Sequence, residues 1–298
     1  MSSFKDLVDE VRSKLAGYTL RQDRITYLQS AINTSATALT VGGGNNLSKG
    51  VIEIDDELIW VDSFDKTTST LNVAPGFGRG WQKSNPAPHS QYAQVTISPS
   101  YPRDVIKRAI NDTIKATFPK LWAVSSTTFT YNGAQNTYPL PQDAQNVITA
   151  SWQKIGPSKE WEVIRRFRVD PMANATAIGT NNSITINEPL VPGRTVQVWY
   201  TTKPNTLESN DDDFSNITGL PDSAEDVIVL GACYRLLSFI DAGRLNLTSA
   251  QADLNDTKTP STTGTSISKF VYAMYQQRLQ EEANSLLGQY PSTIQYTN

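Results

Sequence analysis

Hydrophobic positions change their period several times along this chain of 298 residues, and the changes divide it. At the start, Phe4, Leu7, Val8, Val11 and Leu15 recur at the three- and four-residue spacing of one helix face. Ser3 stands where a helix cap would sit, with Asp6 three residues on, and Gly17 stands where the helix would stop. From Arg24 to Ser98 the period falls to two or to short apolar runs, at 25–28, 38–41, 51–54, 58–61, 70–73 and 94–97. Turn residues separate the runs, among them Gly42 to Asn46, Asp55-Asp56, Asp65 to Thr67 and Pro75-Gly76. This predicts a small antiparallel β module, a barrel or a sandwich.

The helical period returns over Pro102 to Trp122, where Val105, Ile106, Ala109, Ile110, Ile114 and Phe118 share a face. A second β block follows from Ser126 to Lys203, with strands expected at 127–131, 147–153, 161–168, 183–186 and 196–201. The segment Pro204 to Gly219, carrying Asp211, Asp212 and Asp213, reads as an exposed linker. Between Val227 and Ile240 only Arg235 is charged, and apolar residues point in nearly every direction, so this helix needs burial on all sides. Its neighbours could include a second copy of the chain. After a polar loop over 246–265, a last helix runs to Leu287 with Ile267, Phe270, Val271, Met274 and Arg278 on one face. Arg278 is expected to pack its stem and to reach a carboxylate, Asp226 or Glu225.

The expected class is therefore α+β: a helical body, built from an N-terminal helix, a middle helix and two C-terminal helices, with two antiparallel β insertions. The segments are an N-terminal helix (1–20), a first β module (21–100), the middle helix (101–123), a second β module (124–205), a C-terminal helical part (206–288) and a terminal tail (289–298).

Composition narrows the function classes. With 38% hydrophobic and 18% charged residues, the chain is rich in Ser, Thr, Asn and Gln, which suits extended β surfaces and subunit contacts. A net charge of −3 supplies no basic field for holding nucleic acid, and would suit a surface past which DNA slides. Neither a signal peptide nor a run long enough to span a bilayer is evident, so synthesis in a cytoplasm and no membrane partner are expected.

Candidate chemistry is sparse. One His and one Cys cannot make an ordinary zinc site, and Cys233, among Leu230, Ala232, Leu236 and Leu237, reads as a small buried residue. His89 lies in a proline-rich turn and reads as structural. Glu53, Asp55, Asp56 and Glu57 might suggest paired carboxylates, but Asp55-Asp56 falls at the centre of a hairpin, where Asp is favoured for local reasons. Gly42 to Asn46 lacks the Gly-Lys-Ser/Thr ending of a phosphate loop and precedes a strand. Arg165, Arg166 and Arg168 read as a solvated face or as partners in a subunit salt bridge. No catalytic residue, metal or cofactor is assigned, and the chain is read as non-enzymatic. The residues assigned instead are contacts between subunits, namely Val227, Leu230, Arg235, Leu236, Leu237, Ile240 and Arg278, and an uncharged docking tail with Tyr290, Pro291, Ile294 and Tyr296.

Gly50 to Val61, with Leu71 to Ala74, Gly78-Arg79-Gly80 and His89-Ser90, looks like a β module recurrent in tailed-bacteriophage structural proteins. Pro102 to Trp122, Leu220 to Arg244 and Phe270 to Glu282 resemble the helices of phage head-to-tail connector, or adaptor, proteins. That resemblance implies a virion protein of the neck: a homo-oligomeric ring, typically of twelve copies, under the portal protein. It would join the capsid to a tail or nozzle protein, with double-stranded DNA passing non-specifically through the lumen and the tail segment reaching toward the portal. The second β block is larger than in the simplest adaptors; it would project outward, where it could hold tail fibres or tailspikes. The rival expectations are another neck or tail-tube component, and a β-rich adhesin or carbohydrate-binding protein. Exposed aromatic rows drawn from Trp60, Trp81, Trp152, Trp161 and Trp199 would favour the adhesin.

Overall fold

The fold is that of a computed structural model, which describes residues 2–18, 23–43, 47–156, 160–252 and 263–290 and, within these, the side chains of all but 239–252 and 263–266. Among the described residues the chain is mixed α/β, with six α-helices and thirteen strands paired antiparallel. The helices are α1 (Phe4–Ala16), α2 (Arg103–Thr117), α3 (Ala175–Ile178), α4 (Phe214–Thr218), α5 (Glu225–Ala252) and α6 (Thr263–Gln289). Packing separates two compact units: Lys5–Asp112 with Val229–Tyr272, and Met1–Phe4 with Thr113–Ile228 and Ala273–Asn298. The boundary falls within α2, α5 and α6.

The first of these units holds β1 (Arg24–Tyr27), β2 (Ala38–Thr40), β3 (Gly50–Ile54), β4 (Glu57–Asp65), β5 (Thr70–Val73) and β6 (Gln94–Ile97) in one sheet of order β1-β6-β3-β4-β5-β2. Leu39, Ile52, Ile54, Ile59, Val61, Leu71 and Val95 fill its core. At about 25 cal/mol per Å² of apolar surface removed from water, such side chains are what holds a small sheet together. The sheet is not closed into a barrel. Its edge strands are four and three residues long and meet only past the end of each, at an isolated bridge between Leu28 and Val41. The sharp turn between β3 and β4 is the Asp55-Asp56 pair, with Asp55 at φ 52, a left-handed conformation that Asp tolerates better than most residues.

In the other unit, β10 (Trp161–Val163), β9 (Asn146–Gln153), β13 (Arg194–Thr202) and β7 (Ala123–Tyr131) form a four-stranded sheet in that order. A three-stranded sheet has the order β11 (Phe167–Asp170), β12 (Asn182–Ile186), β8 (Thr137–Leu140). Ala150, Val196, Val198 and Tyr200 from the larger sheet share one core with Tyr138, Leu140, Phe167, Ile184 and Ile186 from the smaller, so this block is a sandwich.

Several expectations change. The single strand expected over 161–168 is two, β10 and β11, in different sheets. The break between them places buried Ile164 in the core beside Phe167. Strand β8 went unread because it contains Pro139; it is an edge strand, the position in which a sheet tolerates a missing N–H. The helix expected over 102–122, with Pro119 ending its regular part, stops at Thr117, since Pro119 disfavours helical geometry at Phe118. Part of the expected loop over 246–265 is helical: α5 continues to Ala252, with no Gly or Pro after Gly243 to stop it, and α6 begins at Thr263.

Nor is 204–219 an exposed linker. Leu207, Phe214 and Thr218 are buried, and Asp213 caps α4 by accepting from Asn216 N–H. Asp212 accepts from the N–H groups of Glu208 and Ser209 through its side chain and from Phe4 N–H through its carbonyl. Two of the three acidic residues thus serve local backbone donors, which outweighs their preference for water.

Candidate functional site

The hairpin that places Asp55 and Glu57 two residues apart also builds the most heavily bonded charge cluster of the β module. Glu57 begins β4 with its carboxylate fully buried. Oε1 accepts from Arg79 Nε at 2.7 Å and Gly80 N–H at 3.0 Å; Oε2 accepts from Arg79 Nη2 at 2.8 Å, Ala87 N–H at 3.0 Å and His89 Nε2 at 2.9 Å. Arg79 in turn donates to the carbonyls of Asn33 and Ala87. His89 gives its other nitrogen, Nδ1, to Asp55 at 2.7 Å, and its backbone pairs with Ile32. One buried carboxylate therefore fastens the loop over 79–89 at both ends.

Electrostatics follow from this geometry. Burial alone would lower the His89 pKa, but hydrogen bonds and charge from Asp55 and Glu57 outweigh it and raise the pKa to about 9. Burial would raise that of Glu57, but Arg79, His89 and the Ala87 and Gly80 N–H groups bring it down to about 2. The imidazolium donates from both nitrogens, so neither is available as a base near neutral pH. His89 is structural, as its turn suggested. Its two carboxylate partners were missed, because the turn context gave no sign that the chain folds His89 back onto the Asp55 hairpin 34 residues away.

A second cluster joins α1, the hairpin and α2. Glu53 is buried, accepts from the Arg103 N–H and pairs with Arg12 at 3.2 Å. Burial raises its pKa, partly offset by Arg103 and Arg12. Arg103 also pairs with Asp9, and Asp56 takes Arg103 and Lys107. Each of the four acidic residues over 53–57 is thus committed to an ion pair within its own unit. Among the described residues no group of three His, Cys, Asp or Glu is placed to hold a metal. Cys233 is buried, and that burial pushes its thiol up to about 12.

The residues assigned as subunit contacts separate into two groups. Val227, Leu236 and Leu237 are already buried within the chain, while Leu230 and Arg235 are half-buried, with Arg235 reaching the Asp112 carbonyl. Arg278 joins Asp226 at 2.6 Å, one of the two carboxylates expected, and also Glu281 and Glu282. Ile240 lies on α5 with its side chain outside the described residues, as are Pro291, Ile294 and Tyr296; Tyr290 is described and packs edge-on against Trp122. Sequence reasoning placed Val271 and Phe270 on one face of α6. The structure buries Val271, Tyr275, Leu279 and Leu286 in a four-residue stripe but leaves Phe270 63% and Met274 40% exposed, one turn apart on the helix. Arg165, Arg166 and Arg168 are exposed, as expected.

The larger sheet of the sandwich has a second notable surface. Its inward positions carry the core, and the alternate positions of each strand face out. On β7 these are Ser126, Thr128 and Thr130; on β9, Thr149, Ser151 and Gln153; on β13, Thr195, Gln197 and Trp199; on β10, Trp161 and Val163. None is charged.

Among the described residues, the buried charge clusters fasten loops, and the features left over are faces. Comparison with protein-family models matches residues 90–259, more than half of the chain, to the SU10 adaptor protein family. The chain belongs to that family; it is a phage structural adaptor protein and so a component of the virion. The match spans α2, the whole sandwich, α4 and α5. A search of curated proteins found no match.

Proposed function

We propose that this adaptor occupies the head-to-tail junction, assembling as a closed ring of about twelve copies beneath the portal protein and joining it to a tail or nozzle protein. Double-stranded DNA passes through the lumen without specific contacts, in keeping with a net charge of −3. Family membership supports an adaptor role, and the observation that carries assembly is the exposed side of α6. Phe270 and Met274 lie one helical turn apart with 63% and 40% of their surface in water, next to a stripe that the chain already buries. Apolar side chains left out of a well-packed helix are the material of a subunit contact. Leu230 and Arg235, each with surface to spare, belong to the same set of contacts, and the tail from Tyr290 onward docks on the portal.

The test is the mass of the purified chain, alone and with portal protein, by native mass spectrometry. Wild type is expected to form a closed ring, and Phe270→Asp to give folded monomers. Rings formed equally well by Phe270→Asp and by Met274→Asp would contradict the use of this face.

A further inference from the structure

The outer face of the four-stranded sheet combines two properties: its outward strand positions lack charge, and it carries two exposed Trp residues, Trp199 on the inner strand β13 and Trp161 on the edge strand β10. Trp199 is 39% exposed beside Thr149, and Trp161 is 46% exposed beside Gln153, four residues further along β9 on its other side. Two strand spacings across and four residues along put the two rings roughly 16 Å apart. Between them lie Gln197 and Ser151, paired across β13 and β9, whose amide and hydroxyl both donate and accept hydrogen bonds.

We propose that this face binds a neutral oligosaccharide. The partner is set by complementarity. Without a charge, the face has no attraction for phosphate, for anionic lipid or for an acidic peptide. Exposed Trp rings present apolar planes against which the C–H faces of sugar rings stack, and the amides and hydroxyls between them match a ligand made of hydroxyl groups. The size of the face agrees. Three strands of eight or nine residues and one of three cover roughly 500 Å², short of the ~800 Å² per partner that a stable protein interface needs. A short, extended saccharide lying from Trp199 to Trp161 needs no more. Such binding would let an adaptor touch a host glycan, and it is a property of the single chain whether or not rings form.

The experiment is to screen the full-length protein on an array of neutral bacterial glycans, then to titrate the bound glycan while following tryptophan fluorescence. Binding is expected to be unchanged by salt between roughly 0.05 and 0.5 M. Trp199→Ala and Trp161→Ala should each weaken it about tenfold or more. Gln197→Ala, which leaves both rings in place, should weaken it less while keeping the wild-type urea midpoint. Phe77→Ala removes an exposed aromatic from the other unit and should change nothing. The proposal is overturned if no neutral glycan is retained, if both Trp variants bind as wild type does, or if the face captures purified tail-fibre protein and no glycan.

Discussion

His89 and Glu57 show how a residue's role depends on what the fold brings to it. The folded pKa of His89, about 9, lies above the ordinary histidine value of 6.5, so its contribution to stability is fully present below about 6.5 and is lost as pH rises through about 9. Glu57 runs the other way: its folded value of about 2 lies below 4.5, so its contribution is present above about 4.5 and is lost as pH falls through about 2. Urea midpoints should therefore decline from pH 6.5 to 9.5, and His89→Gln should abolish that decline while keeping the loss on the acid side. An unchanged alkaline slope in the variant would show that the imidazolium is not its source. Glu57→Gln should be more severe, at about 3–5 kcal/mol, because it leaves the buried Arg79 without its countercharge. At Gly219, with φ 72, an added Cβ would lie 2.6 Å from the Ala123 Cβ, so Gly219→Ala should cost about 1–3 kcal/mol by thermal unfolding.

At the scale of elements, strands of the first β module were legible to within about a residue at each end, except that β4 runs to Asp65, four residues beyond the apolar run at 58–61. The elements that sequence misjudged are those in which tertiary packing overrode local preference. Pro139 hid an edge strand, a mid-run break sent Trp161 and Phe167 into different sheets, and burial of Phe214 turned a polar linker into a capped helix. The candidate site was less legible still. Arg79, Glu57 and His89 converge through contacts 22 and 32 residues apart, which no periodicity encodes. For α5, surplus hydrophobicity pointed to a neighbouring subunit, yet the chain itself covers Leu236 and Leu237. Replacing Leu236 by Asp should thus unfold the monomer, lowering the urea midpoint or abolishing soluble expression. Phe270→Asp on α6 should leave that midpoint within about 0.5 kcal/mol of wild type. Equal destabilisation by the two would mean that Phe270 is covered in the folded chain.

At the scale of the whole molecule, each unit contributes features of its own. Arg79 and Glu57 tie a loop to the hairpin of one β module, the outward strand positions of the larger sheet of the sandwich are uncharged, and α6 leaves Phe270 and Met274 exposed, the surface that the proposed assembly would use. Gold-labelled antibody on intact and neck-broken virions, viewed by electron microscopy, reports where the protein sits in the particle. Label confined to the head–tail junction, exposed further when the neck breaks, is expected. Label on fibres or along the distal tail would contradict that location.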